Sequence, residues 1–303
     1  MSSAISDDPG AAAADPPRQE AVQKAIAEIS HIATLPEVTL KIIKLVEDPD
    51  STAQDLNKII SNDPALGARI LKVVNSAFYG LPGQIGSINR AIVLLDLNAV
   101  KNIAIAASLA KLFRGGEICP GFNAKDLWTH SIAVAAATRQ LAQKAGLGLP
   151  DEAFLAGLIH DLGIMVEVQA RRAKFAELFE KLQSDETATM REVELEVLGA
   201  NHEDFGSGLC TLWKFPRSIV YVTGFHHRPL ELAQSHRTLT CLVHIADIIA
   251  AQNQIGYHRS VETLEIDPAV LDETKLTTSD VQTISEGLPD AIAESDNITL
   301  DAA

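Results

Sequence analysis

The chain has 303 residues, 47% of them hydrophobic, and 25 Lys and Arg against 40 Asp and Glu, a formal charge of −15. That length suits two domains or one large helical one, and the acidity excludes a non-specific nucleic-acid binder, because neutralising phosphates needs a surplus of basic residues. The longest charge-free run, Val73 to Asn89, is interrupted by Gly80, Pro82, Gly83 and Gly86, so no membrane span is expected; the acidic start does not read as a signal peptide, and three cysteines without recognisable spacing suit a reducing cytoplasm.

Residues 1–18, rich in Ala, Pro and Asp, read as a disordered lead. Apolar Val22, Ile26, Ile29 and Ala33 then recur at helical steps. The next helix takes Thr34 as its N-cap, Pro36 and Glu37 in its first turn, and Val38, Ile42, Leu45 and Val46 as its apolar face. Ser51 and Gln54 form a capping-box pattern before Leu56, Ile59 and Ile60. Asp63-Pro64 supplies an N-cap followed by proline at the first helical position, opening a helix with Leu66, Ile70, Leu71 and Val74. Asn75 to Ser87 is a loop whose Phe78-Tyr79 tip serves either interdomain packing or a partner. Ile88 to Leu112 resumes helical spacing, broken around Asp96-Leu97-Asn98.

Beyond a break near Gly115-Gly116 to Phe122, helices are predicted over Asp126–Ala145, Asp151–Ala170, Arg171–Leu182, Arg191–Gly199, His202–Leu212, Pro216–His226 and Thr238–Ile255. A last one runs from Ser279, as N-cap, to Glu286. No alternating strand pattern is evident, so the expected class is all-α, in two helical bundles over 19–115 and 116–260, with a C-terminal helical extension and acidic tail over 261–303.

Seven of the nine histidines lie between His130 and His244. His160-Asp161 closes the apolar segment Phe154 to Ile159, and Asp247 is embedded among Ile245, Ala246, Ile248 and Ile249. A buried carboxylate must be paired, protonated or bound to a cation. Taken singly, each residue has a plain structural reading. His160 caps a helix, His130 is a satisfied core histidine, His226-His227 is a surface doublet, and His244 neutralises Asp247. Taken together, two carboxylates in apolar helices flanked by histidines at helix ends form a ligand set. Mixed nitrogen and oxygen donors suit iron, manganese, zinc or nickel better than calcium or magnesium. At such a centre a metal-bridging hydroxide is the usual nucleophile for phosphoester hydrolysis.

The order His, His-Asp, His, His-His, Asp resembles the HD superfamily of metal-dependent phosphohydrolases. Leu35-Pro36, Asp63-Pro64-Ala65-Leu66, Ile70 to Ala77 and Ile88-Asn89-Arg90-Ala91-Ile92 narrow the likeness to the HDOD domain, an HD-related output domain of bacterial signalling proteins, over about residues 20 to 255. The resemblance implies an all-α fold in which an N-terminal HDOD bundle packs on an HD-like bundle. It also implies a regulatory protein that acts by binding signalling partners. By similarity to metal-complete HD-GYP relatives, His130, His160 and Asp247 would serve one divalent transition metal ion, and His202, His226 and His227 a second, with Asp161 bridging. Iron is favoured, with manganese, nickel or zinc as alternatives, and Asp126 is a weaker added candidate. The relatives' phosphate-contacting lysine is replaced by Ile164, and Arg228-Pro229 stands where a GYP-type tripeptide is expected. The alternative activity, a phosphohydrolase acting on a nucleotide or cyclic dinucleotide, is thereby weakened. Arg228 could supply the missing positive charge, and a nucleotide or phosphate remains a candidate ligand.

Overall fold

Side-chain oxygens that accept the first free backbone N–H groups set where most of these helices begin. The structure, a computed structural model, describes residues 16–28, 37–76, 79–113, 116–185 and 187–293. Helix α1 (Pro16–Glu28) starts inside the expected disordered lead, where Arg18 meets Asp204 at 3.7 Å. Ile29, Ala33 and the Thr34 cap fall outside the described residues. Then come α2 (Glu37–Glu47), α3 (Ala53–Ile60) and α4 (Pro64–Val74).

The capping box of α3 is shifted by one residue from the expected Ser51 and Gln54. Thr52 N–H donates to Asp55 at 3.0 Å, and Asp55 N–H returns a bond to Thr52 Oγ1 at 3.3 Å. Ser51 is committed elsewhere, donating to Leu45 O at 2.9 Å and accepting from the buried Lys101 ammonium. Asp63 caps α4 as expected, accepting from Leu66 N–H at 2.9 Å. Asp96, at φ 77°, divides α5 (Ile88–Leu95) from α6 (Leu97–Leu109) and caps α6 through Ala99 N–H. α6 is buried from Ala99 onward and packs against α2, α4 and α5, so it forms the axis of the N-terminal half.

A short antiparallel hairpin, β1 (Glu117–Cys119) with β2 (Phe122–Asn123), departs from the strand-free expectation. Three residues against two are too few to show an alternation. The second half is built on α7 (Ala124–Lys144), followed by α8 (Pro150–Ile159) and α9 (Leu162–Ala170) where one helix over Asp151–Ala170 was expected. α10 (Arg172–Ser184), α11 (Met190–Leu198), α12 (His202–Leu212), α13 (Arg217–Phe225) and α14 (Arg237–Gln252) lie near their predicted positions. α15 (Pro268–Thr274), capped by Asp267, was not anticipated. α16 (Thr278–Ala293) is longer than expected, and Thr277 rather than Ser279 accepts from Asp280 N–H.

α7 packs on α8, α14 and α16, α9 on α12, and α12 on α13. α1 lies against α9 and α12, so it belongs spatially with the C-terminal half. The two halves meet where α6 crosses α8 and where Tyr79 inserts. Its hydroxyl faces Asp151 at 3.4 Å, and the Arg139 guanidinium lies 4.7 Å over its ring while also pairing with Asp151. Tyr79 thus packs against Asp151 and Arg139 of the second half, whereas Phe78 falls outside the described residues. The stretch Pro150–Ala170 is apolar enough to pass for a membrane span by length and composition. It is broken by the α8–α9 joint, and 89% of its most apolar window is buried inside the protein.

Candidate metal centre

The joint between α8 and α9 is what creates the centre. His160 retains helical dihedrals, but Asp161 adopts φ −93°, ψ 17°, and its carboxylate caps nothing. Both side chains are thereby turned into the bundle, where they are fully buried. His130 enters from mid-α7, His202 from the first residue of α12, His226-His227 from the end of α13 and Asp247 from α14. All seven residues named from the sequence converge here. His227, the least enclosed by residue, still has a side chain only 3% exposed.

Gly163 shows how tightly the elements are drawn together. A Cβ at this position would lie 1.8 Å from His202 O and 2.7 Å from Gly206 N. Backbone on both sides leaves no flexible side chain to yield. Gly163→Ala should therefore push α9 away from α12, lowering stability by more than about 2 kcal/mol. It should also weaken metal uptake, both read by thermal unfolding and elemental analysis. A variant with wild-type melting and metal content would contradict this account.

The hydrogen bonds around the cluster fix the imidazole tautomers. His130 Nδ1 donates to Ile255 O at 3.2 Å, His160 Nδ1 to Gly157 O at 2.7 Å and His226 Nδ1 to Val222 O at 3.2 Å. A carbonyl can only accept, so these Nδ1 atoms carry the proton, and in the neutral ring Nε2 presents a lone pair. His202 follows the same rule, its Nδ1 donating to Glu194 at 2.8 Å. The four Nε2 atoms then face inward, onto further acceptors. His130 Nε2 is 2.8 Å from Asp247 Oδ1, and His160 Nε2 is 3.3 Å from Asp161 Oδ2. His226 Nε2 is 3.3 Å and His202 Nε2 3.6 Å from Asp161 Oδ1, while the His202 and His227 Nε2 atoms stand 3.0 Å apart. His160 Nε2, His226 Nε2 and Asp161 Oδ1 are buried without a hydrogen-bond partner among the described residues.

Such a convergence of lone pairs is unfavourable unless protons or cations fill it. Three groups have ligand atoms within 4.8 Å of one another and could hold a metal ion. They are Asp161 with His202, His226 and His227; His130 with His160 and Asp161; and His160 with His226 and Asp247. The residues fit the donor chemistry of a transition-metal centre. The electrostatics of the cluster carry the same tension. Burial lowers His160, but Asp161 and then Asp247 outweigh it and lift it to about 9. His202 likewise overcomes burial through Glu194 and Asp161 and reaches about 9. Burial raises Asp161, yet His160, His226 and His202 carry it well below the usual carboxylate range. His227 is held well below its ordinary value, first by burial and then by His226 and His202.

Several residues around the centre carry no signal strong enough to single them out in the sequence. Glu194 orients His202, Ser260 donates to Asp161 Oδ2 at 3.0 Å, and Glu203 accepts from His227 N–H at 3.2 Å. His244 is not the partner of Asp247, since its Nδ1 donates to His226 O at 2.7 Å. Asp126 is exposed and outside the three groups. Ile164 is fully buried. Arg228 is engaged by Glu203, Glu231 and Gly224 O and lies over Phe225.

The HDOD domain family model matches residues 32–229. A crystal structure of an HDOD domain protein with unknown function from Geobacter sulfurreducens superposes with TM-score 0.79 at 23% identity, covering 93% of this chain and 98% of that one. A proposed phosphohydrolase from Shewanella amazonensis SB2B gives TM-score 0.72 at 25% identity, covering 92% and 98%. A curated relative from Treponema pallidum (strain Nichols) is 24% identical over 221 residues. The match takes in 73% of this chain but 42% of that protein's length.

Proposed function

Since the chain belongs to the HDOD domain family, we propose that it is a bacterial signalling protein that acts in the cytoplasm through protein partners and carries an HD-type metal centre. The observation that carries this reading is the set of buried Nε2 lone pairs turned onto Asp161 and Asp247. In it, His130, His160 and Asp247 would hold one divalent ion and His202, His226 and His227 another, with Asp161 shared between them. The ion is iron foremost, or manganese, nickel or zinc. The recurrence of Asp161 in two of the three ligand groups supports the bridging role. His226 also reaches the side of His160 and Asp247, so the two sets share an edge.

A second reading, a phosphohydrolase on a nucleotide or cyclic dinucleotide, is favoured by the likeness to the Shewanella protein. A bound divalent ion would supply Lewis acidity and lower the pKa of a coordinated water. This chain's own residues offer little to a substrate phosphate. Ile164 is apolar and buried, and Arg228 is tied to two carboxylates and a carbonyl. Stabilising phosphate charge needs cations aimed at it, so regulation is the stronger reading.

Elemental analysis of untagged protein prepared without chelator, followed by assay against nucleotides, cyclic dinucleotides and simple phosphoesters, separates the two. We expect about one to two equivalents of transition metal and no turnover. Metal-dependent hydrolysis that is lost in Asp161→Asn would overturn the regulatory reading in favour of the enzyme.

A further inference from the structure

Past α14 the chain runs through Ile255-Gly256-Tyr257-His258-Arg259-Ser260, a segment that is neither helix nor strand and lies outside the residues matched by the family model. Gly256, at φ 65°, lets this backbone press against α7, where a Cβ would lie 2.3 Å from Asp126 O and 2.5 Å from His130 N. Tyr257 N–H donates to Asp126 O at 2.9 Å, and its ring stands edge-on to Phe122 with centroids 5.0 Å apart. Arg259 donates to Leu182 O at 3.1 Å, and Arg191 to Glu262 at 3.1 Å. The segment is thus fastened to α7, α10 and α11. It turns two groups onto the cluster. Ile255 O accepts from His130 Nδ1 at 3.2 Å, and the fully buried Ser260 hydroxyl donates to Asp161 Oδ2 at 3.0 Å.

The outermost torsion of an aspartate is broad, so the plane of its carboxylate is set by what meets its oxygens. Ser260 supplies a hydrogen bond to Oδ2, whereas Oδ1 has none among the described residues. With Oδ2 held beside His160 Nε2, at 3.3 Å, Oδ1 is turned to His226 Nε2 at 3.3 Å and His202 Nε2 at 3.6 Å. A carboxylate oxygen carries two lone pairs, so Oδ2 can accept from Ser260 and still offer one to a cation. We propose that Ser260 is a positioning residue that fixes the plane of Asp161 so that each oxygen serves a different ion, with residues 255–262 as its mount. The inference rests on the metal-centre reading above and specifies what makes Asp161 a bridge rather than a ligand of one ion. Were Ser260 only filling space, alanine would serve, since a buried hydroxyl costs free energy unless it is hydrogen-bonded. Groups that orient a metal ligand from outside are worth about 10- to 100-fold in metal affinity.

The test uses full-length wild type, Ser260→Ala and Ser260→Thr, each stripped with chelator, reloaded with Co2+ and titrated with a competing chelator. Ions per chain and the cobalt absorption spectrum are followed, and thermal unfolding is measured on the stripped proteins. Ser260→Ala should release both ions about 10- to 100-fold more readily, with an altered cobalt spectrum, because the ligand it frees is the shared one. Its metal-free form should melt within about 2–4 °C of wild type, as the loss of one hydrogen bond allows. Ser260→Thr keeps the hydroxyl and should bind as wild type does. A Ser260→Ala protein with wild-type affinity overturns the proposal, and so does one whose metal-free form no longer melts cooperatively, since the role is then structural. A Ser260→Thr protein that melts as wild type yet loses as much affinity as Ser260→Ala also overturns it, and if threonine disturbs the fold Ser260→Ala decides alone. A wild-type chain that takes up no Co2+ refutes the metal-centre reading and the proposal with it, whereas wild-type uptake unaltered in Ser260→Ala refutes the proposal alone.

Discussion

Asp161→Ala is expected to leave the purified protein with less than about one-tenth of the wild-type metal content. The carboxylate faces His160 through one oxygen and His202 and His226 through the other, so its loss removes the acceptor common to both sides of the centre. The imidazoles alone would then present lone pairs to one another, without the negative charge that draws a cation in. Removing one partner of a buried charge set also destabilises, by about 3–5 kcal/mol. Metal loss in Asp161→Ala is therefore ambiguous unless it is compared with Asp161→Asn, which keeps the volume and one acceptor oxygen. Both variants should lose metal, and Asp161→Asn should unfold closer to the metal-free wild type. Retention of full metal content by either variant would remove Asp161 from the ligand set.

Chelation should make the protein's response to pH change sign. His160 and His202 lie near 9 in the metal-free chain, against an ordinary value of 6.5. Groups whose folded pKa is raised stabilise fully below the unfolded value and lose that contribution as pH rises through the folded one. The metal-free protein should accordingly melt at a lower temperature at pH 9 than at pH 6.5. Metal ligation needs the same imidazoles deprotonated, so the stabilisation by added metal should grow across that window. At a free-ion concentration of about one hundred times Kd the gain is about 2.7 kcal/mol. Protons and ions compete for one set of lone pairs. Melting curves of chelated and reloaded protein at both ends of the window check this, and a metal-free form that gains stability towards pH 9 would refute it.

The helical class and the convergence of the seven ligand candidates were legible because each carries a local signature, such as a charged residue inside an apolar run or a histidine at a helix end. The break after Ile159 was legible only in part, through His160-Asp161 closing the apolar segment. Apolar residues continue through Leu162 to Val166, so periodicity alone reads Asp151 to Ala170 as one helix. Yet the break is what turns His160 and Asp161 inward together. Ser51 and Thr52 offer competing caps one residue apart, and Ser51 is drawn away by Leu45 O, Asp48 O and the distant Lys101. α1 has a readable apolar face, but nothing in that face names α9 and α12 as its seat. Glu167 was a missed signal: a carboxylate between Val166 and Val168 is as anomalous as Asp247 among its isoleucines. Ser260 lies beyond the end of α14 and contacts Asp161 across 99 positions of chain, which no local pattern encodes.

The ligand candidates come from α7, the α8–α9 joint, α12, the end of α13 and α14, so the cluster runs in sequence from His130 to Asp247. No short stretch of nascent chain can assemble it, since each donor arrives only when its own helix has docked. Loop-closure entropy must be overcome before any of these contacts forms. Capture of an ion by these donors would thus be a closing event in maturation, a clasp fastened after the bundle has formed.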